Sequence, residues 1–225
     1  MNQFTSSDGT HLPITTDADL HQRRERALAG MQAVMGTLPG DRRCPLDLHI
    51  ESESDHDDIR VQTLWYSSEP DCRTPAFLVL PDEHIHAPRS AVLCLHGRNH
   101  QQGNRSVVDL SGDQPGGLAC RLARRGHVVI APCYPDMAHY PLDRTALGYR
   151  STSLKAVWDN IRALDLLDAL PQVRHGAYAA IGASMGGYNS LFTAAFDQRI
   201  QAVACGCGFD SFLDYMGGDL SVWGD

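Results

Sequence analysis

The segment that most constrains this chain is Ile-Gly-Ala-Ser-Met-Gly-Gly at residues 181–187, which follows a short apolar run. It fits the pattern Gly-x-Ser-x-Gly, found where a buried strand turns directly into a helix. Such a turn brings neighbouring segments very close, and Gly182 and Gly186 leave the space that side chains would fill. Ser184 is then held in a strained backbone conformation with its hydroxyl exposed. The pattern predicts a strand–turn–helix unit that carries a serine nucleophile.

Length and composition indicate an ordinary globular protein. The 225 residues are enough for one α/β domain or for part of a larger one. A net charge of -8 argues against nucleic acid as the main partner. No apolar stretch is long enough to span a bilayer, and the N-terminus lacks the features of a signal peptide. We therefore expect a soluble, cytoplasmic protein with neither a membrane nor a nucleic-acid partner.

The cysteines and histidines do not form a recognisable metal site. Seven cysteines is an odd number, and Cys94, Cys205 and Cys207 lie in apolar runs, which favours reduced, buried thiols. Cys205 and Cys207 lack the usual two-residue gap and a second cysteine pair, so zinc is disfavoured. His84 and His86 lack an acidic or cysteine partner at fixed spacing. We expect no metal and no organic cofactor.

The first 44 residues are predicted to form an N-terminal arm and helix, distinct from a domain over residues 45–225. Residues 1–16 are polar. From Asp17 to Leu38 apolar residues recur at helical spacing, and Pro39-Gly40 is expected to end the helix. The apolar stripe consists of Leu20, Leu28, Met31, Val34, Met35 and Leu38.

Three antiparallel strands are predicted at the start of the domain. Apolar residues alternate over residues 46–50 and again over residues 59–65, which is typical of half-buried strands. A further strand over residues 76–80 is stopped by Pro81. The acidic segment from Ser52 to Asp58 is predicted to be a hairpin loop between the first two strands.

From residue 90 onward the strands are continuously apolar and are separated by helical patterns. Strands are predicted over residues 91–95, 128–131, 177–181 and 200–205, and helices over residues 118–125, 149–170 and 185–196. Strands without alternation, separated by helices, imply a parallel sheet covered on both faces. Trp158 is expected in the core, whereas Tyr134, Asp136 and Tyr140 follow a strand end and are candidates for substrate contact.

Three segments at predicted strand ends carry a resemblance to a known family. They are Leu-Cys-Leu-His-Gly at residues 93–97, Ile-Ala-Pro-Cys-Tyr-Pro at residues 130–135 and Gly-Ala-Ser-Met-Gly-Gly at residues 182–187. In this order the chain resembles the α/β-hydrolase superfamily, in particular its dienelactone-hydrolase-like and acetyl-xylan-esterase-like branches, over roughly residues 45–223. The resemblance implies an α/β fold: a mostly parallel sheet with helices on both faces, preceded by antiparallel strands.

The resemblance also implies a serine hydrolase that acts on a small-molecule carboxylic ester through an acyl-enzyme. Ser184 would be the nucleophile, and the backbone N–H groups of Met185 and Arg98 would form the oxyanion hole. Dienelactone hydrolases in the strict sense use cysteine as nucleophile, so serine favours an esterase. Acetylated sugars, lactones and simple aliphatic esters all remain open as substrates.

The chain departs from the family pattern after the nucleophile. The family places an acid and then a histidine after the serine, but the 41 residues that follow Ser184 contain no histidine, and the last one is His175. Asp210, Asp214, Asp219 and Asp225 offer carboxylates. A carboxylate cannot replace the imidazole that accepts the serine proton and returns it to the leaving group.

Three accounts of this departure compete. The favoured one is a C-terminally incomplete fragment of a longer esterase, and the second is a catalytically inactive fold with a binding role. In the third, an upstream histidine acts as the base. His96, His100 and His139 lie on loops at strand ends; His96 is expected to pack and hydrogen-bond its turn, which leaves His100 to be tested.

Two further expectations follow from the same residues. A serine peptidase is the next alternative among enzymes on this fold. The apolar strand over residues 200–205 would lie at the sheet edge, and an exposed apolar edge favours self-association.

Overall fold

The computed structural model describes residues 3–5, 9–40, 42–81, 87–112, 114–210 and 214–219. The N-terminal arm contains a short antiparallel ribbon of β1 (Gln3–Thr5) and β2 (His11–Pro13). Helix α1 (Asp17–Met35) follows. It begins with a capping box, in which Thr16 Oγ1 accepts from the backbone N–H of Asp19 and the Asp19 carboxylate accepts from the N–H of Thr16.

Helix α1 differs from the prediction at its end and on its apolar face. It ends at Gly36, whose φ of 99° suits glycine, rather than at Pro39-Gly40. No residue of α1 is buried, and Leu20 and Val34 are 51% and 75% exposed. Its C-terminal part, with Met35 and the following Leu38, packs against a cluster around Trp158, and Arg24 donates to the Ala195 carbonyl at 2.7 Å.

The remaining elements form the α/β domain. The strands are β3 (His49–His56), β4 (Ile59–Glu69), β5 (Cys72–Pro81), β6 (Arg89–Leu95), β7 (Val128–Pro132), β8 (Val173–Ala183) and β9 (Ile200–Gly206). The helices are α2 (Arg105–Val108), α3 (Leu118–Ala123), α4 (Thr152–Asp168) and α5 (Met185–Phe196).

In the described part of the chain these strands form one sheet in the order β3-β4-β5-β7-β6-β8-β9. β3, β4 and β5 are antiparallel to their neighbours, and β7, β6, β8 and β9 are parallel to one another. One face packs against α3 and the other against α4 and α5, each through its own apolar cluster. This mixed sheet with helices on both faces confirms the predicted α/β-hydrolase fold.

The acidic segment from Ser52 to Asp58 was wrongly predicted to be a loop. Most of it belongs to β3, which pairs with β4, and only Asp57 and Asp58 form the turn. Seven of the eight residues of β3 are exposed, because β3 lies at the sheet edge. An exposed edge strand needs no apolar alternation, so the pattern that identifies half-buried strands is missing there.

The opposite edge of the sheet is β9. Ile200 is buried, but Gln201, Ala202 and Ala204 are exposed. Among the described residues, β9 pairs only with β8. Self-association through this edge remains a prediction.

Candidate active site

Ser184 occupies a sharp turn between β8 and α5. Its φ of 55° and ψ of -122° are strained for a residue with a side chain. The Ser184 N–H donates to the Gly206 carbonyl at 3.1 Å, and the Ser184 carbonyl accepts from the N–H groups of Gly187 and Tyr188 at 2.9 and 3.2 Å. The backbone is thus fixed on both sides while the serine itself is exposed.

Close backbone packing explains the glycines around Ser184. A Cβ added to Gly182 would lie 2.5 Å from the carbonyl carbon and oxygen of Gly186. One added to Gly186 would lie 2.3 Å from the carbonyl oxygen of Leu95. Backbone atoms cannot move aside as a flexible side chain can, so no larger residue fits. The structure therefore confirms the strand–turn–helix unit that the Gly-x-Ser-x-Gly pattern predicts.

The loop after β6 lies beside the serine. A Cβ on Gly97 would be 3.8 Å from the Ser184 Cβ and 3.3 Å from the Ala183 carbonyl oxygen. Arg98 follows at once, so its backbone is close to the turn. Met185 is the first residue of α5, where N–H groups are not used within the helix. These positions suit the predicted oxyanion-hole donors, whose role remains a prediction.

A cavity of about 260 Å³ opens next to this turn. Four segments line it: the β6–α2 loop, the β7–α4 loop, the start of α4 and the start of α5. Its lining residues are Arg98, His100, Tyr134, Pro135, Asp136, Met137, Thr152, Ser153, Met185 and Tyr188. The fold thus brings both predicted oxyanion-hole residues and His100 to one cavity.

The upstream histidines occupy different environments. Buried His96 accepts a hydrogen bond at Nε2 from the Tyr134 N–H, at 3.1 Å, so Nδ1 carries the proton and donates to the Gly97 carbonyl at 2.7 Å. Burial lowers the pKa of His96 to about 4. This confirms its expected packing role. His139 packs against Trp65 in another cavity. His100 is exposed and lines the cavity beside Met185.

The position of His100 is set by its backbone. Its carbonyl accepts from the Ala138 N–H at 2.9 Å, which ties the β6–α2 loop to the β7–α4 loop. His175, the last histidine, is exposed, and its Nδ1 lies 3.3 Å from Asp168 Oδ1. Of the four histidines discussed, His100 alone lines the cavity next to Ser184.

The candidate carboxylates after the nucleophile are not buried. Asp210, Asp214 and Asp219 are exposed, and Asp225 lies outside the described residues. The aromatic residue Phe209 is 81% exposed rather than part of a pocket.

Two of the loop tyrosines have distinct roles. Tyr134 lines the cavity, and its buried hydroxyl has no hydrogen-bond partner among the described residues. Tyr140 faces inward, and its hydroxyl donates to Asp159 Oδ2 at 3.0 Å. Tyr134 therefore remains a candidate for substrate contact, whereas Tyr140 is wrong in that role because its hydroxyl is used within the protein.

Sequence reasoning missed a buried polar network behind this loop. The fully buried Lys155 ammonium lies 3.0 Å from Glu69 Oε1 and donates to Ser68 Oγ at 3.0 Å and to Asp159 Oδ1. Burial alone would lower the Lys155 pKa, but the Asp159 and Glu69 carboxylates raise it above its ordinary value. Lysine therefore remains charged. The available signal was the four-residue spacing of Lys155 and Asp159, which puts both on one side of the helix.

Among the described residues no cluster of three histidine, cysteine or acidic side chains could hold a metal ion. All seven cysteines are free thiols. Cys207 is exposed, contrary to prediction, because it lies in the loop after β9 rather than within the strand. His84 and His86 fall outside the described residues.

No described helix is both long and apolar enough to cross a membrane.

Comparison with solved structures supports the fold at low sequence identity. A Bacteroides fragilis protein proposed to be an acetyl xylan esterase matches with a TM-score of 0.66 and 14% identity over 89% of this chain and 62% of its own. A glucuronoyl esterase from Solibacter usitatus matches with a TM-score of 0.66 and 17% identity, over 88% of this chain and 61% of its own. An acetyl xylan esterase from a Paenibacillus species matches with a TM-score of 0.56 and 20% identity, over 84% of this chain and 58% of its own.

These likenesses establish the α/β-hydrolase fold. The chain spans about three fifths of the length of these structures. No protein-family model matches the sequence, and no curated protein is significantly similar to it.

Proposed function

We propose that this protein is a serine hydrolase of carboxylic esters and that its substrates are esters carried by a sugar. The observation that carries the proposal is Ser184, exposed and strained at a turn whose next residue, Met185, lines a cavity. Strain of this kind persists only where the surrounding structure imposes it, and it clusters at active sites. The similar folds of acetyl xylan and glucuronoyl esterases support the sugar-ester class.

In the proposed reaction Ser184 Oγ attacks the ester carbonyl carbon. The carbonyl oxygen becomes negatively charged, and the N–H groups of Met185 and Arg98 stabilise it. The alcohol leaves with a proton, which produces an acyl-enzyme, and water then releases the acid. No metal or organic cofactor takes part in this scheme.

A histidine must take the Ser184 proton and return it to the leaving alcohol. Among the described residues His100 is the candidate that lines the same cavity as Met185. In the proposal His100 fills this role. The second candidate function is a catalytically inactive binding protein on the same fold, favoured by the exposure of Asp210, Asp214 and Asp219, since the acid that orients a catalytic histidine is buried.

Hydrolysis of p-nitrophenyl acetate separates these functions. We expect the unsubstituted chain, here called the natural chain, to turn over the ester and Ser184→Ala to show only the background rate. In His100→Ala we expect the hydrolysis rate to fall at least a hundredfold and added imidazole to restore part of it. An unchanged rate in His100→Ala would assign the base to another histidine. Equal rates for the natural chain and Ser184→Ala would reject the esterase and favour the binding protein.

A further inference from the structure

A second cavity of about 360 Å³ lies at the same edge of the sheet as the candidate active site. Its floor is formed by β4 and β5, where Thr63 and Trp65 share one face and Phe77 pairs with Thr63. β3 contributes Glu51, the segment around α2 contributes Arg105 and Leu110, and the β7–α4 loop contributes His139. We call this site the Trp65 cavity.

Trp65 is a half-buried aromatic platform in this cavity. Its Nε1 donates to Glu51 Oε2 at 3.4 Å, and the His139 ring lies 6.0 Å away at an interplanar angle of 77°. Buried Phe77 supports the floor. A ring that is held by a strand, a carboxylate and a second ring loses little freedom when a ligand stacks on it, so binding there costs little ordering entropy.

The polar groups around Trp65 have balanced charge. Burial lowers the pKa of His139, Arg105 lowers it further and Glu51 raises it, so both charged groups act at this imidazole. A neutral imidazole both donates and accepts hydrogen bonds, Arg105 donates and Glu51 accepts. Because the guanidinium and the carboxylate offset each other, the cavity has no net preference for an anion. Its chemistry fits an uncharged ring that is rich in hydroxyl groups.

The Trp65 cavity and the candidate active site are separated by part of the sheet and by one loop. Trp65 on β4 and Ser184 at the end of β8 are separated by four steps across the sheet, through β5, β7 and β6. At the usual spacing of neighbouring strands this is roughly 19 Å. The β7–α4 loop lies between them, since Tyr134 to Met137 line one cavity and His139 lines the other. The two cavities therefore have this loop as a common wall.

We propose that the Trp65 cavity is a distal glycan-binding subsite, in which a neutral pyranose stacks on Trp65 while its hydroxyl groups bond to Glu51, Arg105 and His139. The inference rests on the proposed function in one respect, namely that the ester at Ser184 is part of a longer saccharide. It predicts that oligosaccharides bind independently of hydrolysis.

The test is calorimetric titration of the Ser184→Ala chain with unacetylated xylohexaose. We expect one binding event per chain, weakened at least tenfold by adding Trp65→Ala and several-fold by adding Glu51→Gln. Trp65→Phe keeps an aromatic face and should retain part of the affinity. Val34→Ala, on an exposed residue of α1, is the control and should bind like the parent. Circular dichroism verifies that each variant is folded.

Two results would overturn the inference: no binding of xylohexaose by the folded parent at millimolar concentration, or equal affinity in the folded Trp65→Ala variant. Hydrolysis plays no part in this titration. Glycan binding without ester hydrolysis by the natural chain would reject the proposed function alone. Ester hydrolysis without glycan binding would reject the distal subsite alone.

Discussion

Two of the walls of the candidate active-site cavity are held in place by different physics. The elbow wall comprises residues 182–187 and is fixed by closely packed backbone atoms. At Gly182 and Gly186 these atoms leave no room for a side chain. The loop wall, residues 133–140, is fixed by side chains, because Tyr140 bonds to Asp159 and Asp159 to buried Lys155. His96 joins the strand that leads to Gly97 with the loop wall through its bond to Tyr134. We therefore expect substitutions in the two walls to lower the unfolding free energy by different amounts and for different physical reasons.

The largest effect is expected at the elbow wall. Gly186→Ala would place a Cβ within 2.3–2.8 Å of backbone atoms of Leu95 and His96. The main chain must shift, so we expect destabilisation by more than about 4 kcal/mol. Urea unfolding measures it. Gly30→Ala is the matched control, since its Cβ meets nothing within 4 Å and alanine favours the helix by up to about 1 kcal/mol. A loss below 1 kcal/mol in Gly186→Ala would contradict the steric account.

The next effect is expected behind the loop wall. Lys155→Met leaves the Glu69 and Asp159 carboxylates without their buried ammonium partner, which should cost about 3–5 kcal/mol of unfolding free energy. Arg73→Met breaks the exposed pair with Asp47 and should cost less than about 1 kcal/mol. If the two variants unfolded at the same urea concentration, the buried network would not be what holds the loop wall.

The connection between the two walls should depend on pH. His96 has a pKa of about 4 in the folded chain and 6.5 in the unperturbed side chain, because burial disfavours its charged form. Between these values the unfolded chain binds the proton and the folded chain does not. The stability contributed by His96 is therefore complete above pH 6.5 and is lost as the pH falls towards 4, by roughly 3 kcal/mol.

Unfolding free energies at pH 7 and pH 4.5 measure this loss. His96→Gln should be less stable at pH 7 but should show a smaller decrease between the two pH values. His175→Gln, at an exposed site, serves as control. A His96→Gln chain with the same decrease as the natural protein would show that other groups carry the acid sensitivity.

The smallest effect sharpens the account of the elbow wall. Ser184→Gly relieves the positive φ of 55°, whereas Ser184→Ala keeps the strain and removes only the hydroxyl. We expect the glycine variant to be more stable than the alanine variant by about 1 kcal/mol, which thermal unfolding measures. The opposite order would mean that the turn is not strained in this protein.

The elbow wall could be predicted from sequence because its cause is local. Gly182, Ser184 and Gly186 are within five residues of one another, and the preceding apolar run identifies the strand. α5 was predicted with the bounds that the structure shows. The parallel half of the sheet was predicted for a similar reason, since continuous apolar strands alternate with helices along the chain.

The loop wall and the Trp65 cavity could not be predicted because their causes are long-range. Lys155 meets Glu69 only after α4 packs against the end of β4. Trp65 and His139 are far apart in sequence and meet only when the β7–α4 loop lies over β4. The part of edge strand β3 from Ser52 to His56 was mistaken for a loop because exposed polar residues carry no pattern of burial.

The central claim is that the elbow presents an activated serine. Reaction of the folded chain with a fluorophosphonate, read by intact mass beside Ser184→Ala, tests it without knowledge of the substrate. The account expects one adduct per natural chain and none on the variant. A folded natural chain that stays unlabelled, or a variant that labels equally, would contradict it.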